Sequence, residues 1–196
     1  MGAAAGAALL ACLSALGLAG AAAGATTRAS AARASERSCA NAEAPPDGHD
    51  SALVDAATLC LMNDIRIADG LSPLRRNGAL ATIATGQARD MVRGDYFGDQ
   101  SLSGQSPLAR IMASSYPLAR SRVRLMTAQN IGWGTGPNAT PSGIVAAWMQ
   151  SPAHRAIILT AAYRDVGVGV APSVPAQFGS GWSGATYAVE FGARRR

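Results

Sequence analysis

Helical and strand-like periodicities occupy separate parts of this sequence, and their order limits the folds open to the chain. Apolar residues recur at helical spacing before Gly70 and again before Gly94. Much later, from Val166 to Val170, apolar residues alternate with small ones as they do in a strand. Helical segments that precede a group of strands are typical of α+β domains. We therefore expect helices packed against an antiparallel sheet.

Caps and prolines set the expected bounds of these elements. An N-cap residue or a first-turn proline marks the start of each predicted helix: Asp50 or Ser51, Asn77, Pro107, Pro141 and Pro152. The predicted strands cover residues 123–131, 166–170 and 185–191. The glycines in residues 132–136 predict a turn at the end of the first strand.

Residues 1–25 hold twelve alanines and no charged side chain. Their apolar stretch runs from Leu9 to Leu18, and the small-residue pattern of a signal-peptide cleavage site follows at residues 23–25. We expect a cleaved signal peptide and a secreted, extracytoplasmic protein with no stable membrane span after cleavage. An uncleaved anchor and a lipoprotein signal ending at Cys12 are the alternatives.

The remainder of the chain divides by composition. Without residues 1–25, 171 of the 196 residues remain, which is enough for one well-buried core. Residues 26–49 are rich in Ala, Ser, Thr, Arg and Pro without periodicity, and they predict a flexible leader. Residues 50–193 form the predicted domain, and the three arginines at 194–196 form a basic tail.

Two cysteines, Cys39 and Cys60, remain after signal cleavage. A pair of cysteines in a secreted domain predicts one disulfide, although the spacing alone leaves two unpaired thiols open. A disulfide requires the two Cα atoms to lie within about 7 Å of each other.

The charge balance and the missing motifs exclude several function classes. All 17 basic residues are arginine, and against 12 acidic residues they give a net charge of +5. An exported basic protein is a poor candidate for binding nucleic acid, whereas anionic envelope polymers or lipid headgroups fit a basic surface. The sequence contains no zinc-protease motif, no CxxC, no phosphate loop and no dinucleotide-binding fingerprint.

Several segments resemble, in order, those of the CAP superfamily, which groups cysteine-rich secretory proteins, antigen 5 and pathogenesis-related proteins. They are LCLMNDIR at 59–66, NIGWG at 130–134, WMQSPAHR at 148–155, VGVGV at 166–170 and YAVEFG at 187–192. The chain is most similar to the short bacterial members. The resemblance implies an α-β-α sandwich with a central antiparallel sheet and a surface cleft.

The same resemblance implies a cleft that departs from the family pattern. Two histidines with glutamates between them usually form that cleft. Here Asp99 stands where the first histidine is expected, Gln129 stands in place of a glutamate, and His154 is retained. We expect these three residues to bind the ligand.

An imidazole, a carboxylate and a neutral amide form a poor zinc site. We therefore expect no cofactor. A divalent ion such as zinc on His154 and Asp99 is the alternative.

The sequence therefore favours a secreted, non-enzymatic module that binds a lipid or a cell-envelope component. No nucleophile accompanies His154, and without one the sequence favours no enzymatic activity. A metal-assisted hydrolase that uses His154 and Asp99 as an acid–base pair is the second hypothesis.

Overall fold

Four strands form a central sheet in the order β1-β3-β4-β2. In the computed structural model they are β1 (Arg75–Arg76), β2 (Arg124–Thr135), β3 (Asp165–Ala171) and β4 (Gly184–Arg195). Strand β4 is antiparallel to both β2 and β3, whereas β1 is parallel to β3. The predicted α+β class is confirmed. The sheet is mixed rather than purely antiparallel, because β1 joins it in the parallel sense.

The structure describes residues 39–46, 51–116, 124–179 and 183–195. The chain divides into two units, Met1–Arg37 and Ser38–Arg196, and every described residue belongs to the second. The predicted signal peptide, most of the predicted leader and the last arginine of the predicted tail lie outside the described residues. The other two tail positions, 194 and 195, belong to β4.

Among the described residues, five helices accompany the sheet: α1 (Ser51–Ala68), α2 (Gly78–Arg93), α3 (Pro107–Met112), α4 (Pro141–Gln150) and α5 (Pro152–Ile158). Short 3-10 turns cover Gly136–Ala139 and Ala176–Phe178. The predicted start of α2 is confirmed, because the Asn77 side chain accepts a hydrogen bond from the Leu80 amide at 3.2 Å. Among the described residues, no helix has the length and apolar character that crossing a bilayer requires.

The predicted turn at residues 132–136 is wrong over most of its length, because β2 continues to Thr135. Its two internal glycines meet close neighbours. A Cβ on Gly132 would lie 3.1 Å from the Trp148 indole nitrogen, and one on Gly134 would overlap the backbone at Asn138. The glycines therefore let the strand pass under these neighbours instead of ending it.

Helix α2 packs on one face of the sheet, and α1 and α4 pack on the other. A Cβ on either Gly167 or Gly169 would overlap the α2 backbone, so these glycines let the helix lie directly on β3. On the opposite face, the buried side chains of β4 pack with helical residues into the main core, which includes Met62, Ile144, Trp148, Tyr187, Val189 and Phe191.

Buried arginine and aspartate side chains join the ends of several elements. Arg66 is fully buried and donates to the carbonyl oxygens of Ser72, Ile158 and Thr160 at 3.0, 2.5 and 3.1 Å. Asp165 forms ion pairs with Arg75 and Arg194 at 3.4 and 3.2 Å. These side chains hold the end of α1 to the end of α5, and the start of β3 to both of its neighbours.

A disulfide joins Cys39 to Cys60 with a Cα separation of 5.6 Å, so the predicted pairing is confirmed. It fixes the start of the described chain to α1. The Ser142 amide donates to the carbonyl of Ala42 at 2.9 Å and holds the same segment against α4. This part of the predicted leader is therefore docked on the domain.

Candidate functional site

Gln129 and Glu190 form a buried polar pair where β2 lies beside β4. They are register partners, and the Gln129 Nε2 group donates to Glu190 Oε1 at 2.6 Å. Successive strand residues point to opposite faces of a sheet. Ile131 packs with α2 residues, so Gln129 faces the α2 side as well. Glu190 is fully buried, which makes the pair the floor of any cleft on this face.

The environment of Glu190 favours its neutral form. The pKa of this carboxyl group is raised to about 7, mainly by burial and to a smaller extent by the nearby Asp99 charge. The Arg110 charge and the hydrogen bond from Gln129 act in the opposite direction. Glu190 Oε2 and Gln129 Oε1 are both buried and accept no hydrogen bond from the described residues. The floor therefore offers two unpartnered oxygen atoms to a bound group. Glu190 Oε2 accepts a hydrogen bond when the carboxyl group is ionised and donates one when it is protonated.

Arg110 holds the loop that carries Asp99. Its Nη2 group donates to the Asp99 carbonyl and its Nη1 group to the Gln105 carbonyl, both at 2.8 Å. The Asp99 side chain is exposed at the rim. The Glu190 carboxyl group is hydrogen-bonded to Gln129 and lies near the charges of Asp99 and Arg110.

Polar contacts from α2 fix the first half of the same loop. Gln87 donates to the Gly98 carbonyl at 2.9 Å, and the Tyr96 hydroxyl donates to Asp90 Oδ2 at 2.6 Å. Burial and the hydrogen bond to Asp90 raise the Tyr96 pKa to about 12. The loop is therefore tied to the helix at two points before it reaches Asp99.

Three aromatic side chains form a wall farther along β2. Trp133 stacks on Phe178 with ring centroids 4.5 Å apart, and Phe97 meets Phe178 edge-on at 6.1 Å. The rings of Trp133 and Phe178 remain 36% and 40% exposed. Two hydrogen bonds between Asp95 and Gln177 hold the loops that carry Phe97 and Phe178 together.

His154 lies on α5, beside β2. Its Nδ1 atom is 2.7 Å from the Ser151 hydroxyl, and its carbonyl accepts from Asn130 Nδ2 at 3.2 Å. Within the described part of the chain, no hydrogen bond or ion pair joins His154 to Asp99 or Gln129. The ligand-binding role of the three residues stays a prediction.

The placement of these side chains does not fit a three-ligand zinc site. Among the described residues, one group of three His, Cys, Asp or Glu side chains brings its ligand atoms within 4.8 Å of one another. That group is Cys39, Cys60 and Asp64, and its two sulfur atoms are bonded to each other. His154, Asp99 and Glu190 do not form such a group.

Sequence reasoning missed Glu190 and Arg110. Glu190 lies in the otherwise apolar strand segment YAVEFG. An acidic residue in the middle of such a strand indicates a carboxyl group that needs a partner when it is buried. The sequence gives no comparable signal for Arg110, because its partners are backbone carbonyls of a loop.

Comparison with known proteins identifies relatives of this domain. The model of the cysteine-rich secretory protein (CAP) family matches residues 59–189. The uncharacterized protein YkwD of Bacillus subtilis is 33% identical over 115 residues, which cover 58% of this chain and 40% of YkwD. The chain thus spans less than half the length of that relative.

Solved structures share the fold. An outer surface protein of Borrelia burgdorferi has a TM-score of 0.55 and 18% identity over 70% of this chain and 90% of its own. An extracellular SCP-domain protein of Bacillus anthracis has a TM-score of 0.53 and 20% identity, over 75% of this chain and 44% of its own. A cysteine-rich secretory protein of Staphylococcus aureus has a TM-score of 0.53 and 21% identity, over 74% of this chain and 39% of its own.

Proposed function

Since the chain belongs to the cysteine-rich secretory protein (CAP) family, we propose that it is a secreted binding module without enzymatic activity. Its ligand is a lipid or another cell-envelope component, held in the cleft around Asp99, Gln129 and His154. Glu190 forms the floor of that cleft. The bacterial structures that share the fold include proteins described as extracellular or outer-surface, and the disulfide is consistent with secretion.

The observation that carries this proposal is the pair of unpartnered side-chain oxygen atoms on the cleft floor. Buried polar atoms are normally hydrogen-bonded, and an unsatisfied one costs about 1–3 kcal/mol. Glu190 Oε2 and Gln129 Oε1 lack a partner among the described residues. A ligand hydroxyl that reached these atoms would satisfy either one, whereas a ligand carboxylate would be repelled by Glu190 at a pH above about 7, where Glu190 is ionised.

The aromatic wall supplies the apolar half of the same site. Gln129, Ile131 and Trp133 are alternate residues of β2 and share one face, so they follow one another at intervals of about 7 Å. A ligand with a hydroxyl end at Gln129 and an apolar body along Ile131 would reach the exposed Trp133–Phe178 stack. An amphiphile matches this order of polar and apolar side chains.

We do not propose a hydrolase. That hypothesis requires His154 and Asp99 to act as a pair. The His154 side chain is hydrogen-bonded to the Ser151 hydroxyl, and among the described residues no hydrogen bond or ion pair joins it to Asp99.

Two lipids with the same apolar body test the proposal. Monoolein ends in glycerol hydroxyls and oleate ends in a carboxylate. In an ultrafiltration assay above pH 7, where Glu190 is mostly ionised, we expect the delipidated protein to retain radiolabelled monoolein and to retain oleate less, because oleate and Glu190 then carry like charge. Trp133→Ala and Gln129→Ala should each weaken monoolein retention.

The control is Ile67→Ala, which removes an apolar side chain that is 58% exposed on α1. Its retention of monoolein should equal that of the unmodified protein. Equal retention by the Trp133 variant and the control would overturn the proposed site, and retention of neither lipid would overturn the lipid ligand.

A further inference from the structure

Helix α2 carries a glycine for which the folded chain offers no packing reason. Gly86 is exposed in the middle of Gly78–Arg93, and a Cβ built on it would have no atom within 4 Å. A glycine inside a helix is less favourable than alanine, both in backbone entropy and in helix propensity. The glycine therefore lowers the stability of the helix, and no close packing within the chain requires it.

Two surface recesses meet at this glycine. The first has a volume of about 560 Å³ and is lined by Arg76, Thr82, Thr85 and Arg89 as well as Gly86. The second has a volume of about 360 Å³ and extends from Gly86 toward Arg110. Gly86 has no side chain, so at this residue only the helix backbone separates the two recesses.

The first recess is positively charged. Its arginines, Arg76 and Arg89, are exposed, and no acidic residue lines it. Both ion pairs among the described residues go to Asp165, so neither arginine is neutralised by one. Asp55 interacts electrostatically with both arginines without forming an ion pair. Burial raises its pKa to about 7, so this carboxyl group is partly neutral near neutral pH.

The second recess carries charges of both signs. It is lined by Asp90 as well as by Arg93 and Arg110. Its two arginines outnumber the one acidic residue, so this recess also has a net positive charge.

We propose that this face of α2 binds a linear phosphodiester polymer of the cell envelope, which crosses the helix over Gly86. Arginine pairs well with phosphate oxygens because its guanidinium offers a planar fork of donors. A flexible chain can enter a recess and approach bare backbone at Gly86, whereas a flat bilayer surface cannot follow the same path. The recess lined by Arg76 and Arg89 contains none of the residues of the Gln129–Glu190 floor, so the inference does not depend on the cleft proposal.

Inorganic polyphosphate is the probe, with orthophosphate and phosphatidylglycerol vesicles as comparison ligands. We expect calorimetry to detect binding of polyphosphate that weakens as salt rises. In Arg76→Gln/Arg89→Gln the dissociation constant should rise about tenfold, and its dependence on salt should become shallower. The matched control, Arg124→Gln/Arg155→Gln, removes the same charge from exposed sites outside both recesses and should change binding less than about twofold.

Gly86→Leu separates a binding role from a structural one. Leucine is a better helix former than glycine, and open space surrounds the site, so the melting temperature should stay the same or rise. The same side chain should obstruct the polymer and weaken polyphosphate binding. Gln129→Ala should leave that binding unchanged, which keeps the outcome distinct from that of the cleft.

Any of four results would overturn the inference. Equal losses in the two double variants would mean that net charge alone attracts the polymer. Undiminished binding by Gly86→Leu would mean that the polymer does not cross the helix there. Stronger binding to vesicles than to polyphosphate, or equal competition by orthophosphate, would point to a lipid surface or a single-phosphate site instead.

Discussion

Replacing Glu190 with glutamine should stabilise the fold at alkaline pH and change it little in acid. The side chain is fully buried, and its carboxyl pKa is raised from 4.5 to about 7. Glutamine has nearly the same shape and can still accept the hydrogen bond from Gln129 Nε2. The substitution therefore removes the buried charge while it keeps the contact.

The size and direction of the effect follow from proton binding. In the unfolded chain Glu190 ionises near its ordinary pKa, whereas in the folded protein it holds its proton up to about pH 7. The contribution of Glu190 to the free energy of unfolding therefore falls as pH rises between these two pKa values, and it is constant below the lower and above the higher one. The pKa difference corresponds to about 3 kcal/mol that the ionised carboxylate costs the native state.

Urea unfolding at several pH values from about 5 to about 8 measures this effect. The quantity to compare is the difference in unfolding free energy between Glu190→Gln and the unmodified protein. Asp55, whose pKa burial also raises to about 7, titrates in both proteins and cancels in the difference. Glu43→Gln, at an exposed site, is the matched control and should give a difference near zero throughout.

A difference that does not grow with pH would refute the reasoning. It would mean that Glu190 ionises in the folded protein as easily as in the unfolded chain. A loss of stability at every pH would mean that the carboxylate, not its neutral form, is the favourable partner of Gln129 and Arg110.

Three other substitutions probe the frame of the fold. Replacing Cys39 and Cys60 with serine should lower the free energy of unfolding by about 3 kcal/mol, because the disulfide closes a loop between residues 21 positions apart; urea unfolding measures the loss. Arg66→Met should cost more than about 3 kcal/mol in the same assay, since it leaves several buried carbonyls without a donor. Gly167→Ala should cost about 3 kcal/mol or prevent folding, because its Cβ would overlap the α2 backbone; circular dichroism and thermal melting report the result.

Each of these has a control in the same chain. Adding a reductant should lower the stability of the unmodified protein as far as the double serine variant. Arg155→Met, at an exposed arginine, should cost little compared with Arg66→Met. Gly98→Ala should be tolerated better than Gly167→Ala, because its nearest neighbour would be 3.9 Å away. A mild effect at Gly167 would show that α2 can move off the sheet without penalty.

Local signals predicted the helices well because they act within one turn. Asn77 caps α2 through its own side chain, and Gly94 follows the last residue of that helix. The strand β1 was missed because two residues carry no periodicity, and their pairing with Asp165 and Val166 alone defines them as a strand. The extension of β2 through Gly132 was missed for a related reason: the space above that glycine is taken by Trp148, from a distant part of the sequence.

In the candidate site, too, contacts between distant residues could not be predicted from the sequence. The family resemblance singled out Asp99, Gln129 and His154, but it could not show that Gln129 lies opposite Glu190. That pairing depends on the register of β2 against β4, between residues 61 positions apart in sequence. The burial that raises the Glu190 pKa is likewise a property of the packed sheet, so the residue sequence alone could not reveal it.

The position of β4 also bears on when this domain can assemble. It is the last strand along the sequence, yet it lies between β3 and β2, which do not pair with each other. A polypeptide is synthesised, and enters a translocation channel, from its amino end. Until residues 184–195 emerge, β2 has no ladder partner and β3 has only the two-residue strand β1, and Glu190 and Phe191 are missing from the interior. Assembly of the sheet is therefore deferred until β4 is free, and the strands that precede it stay unassembled until then.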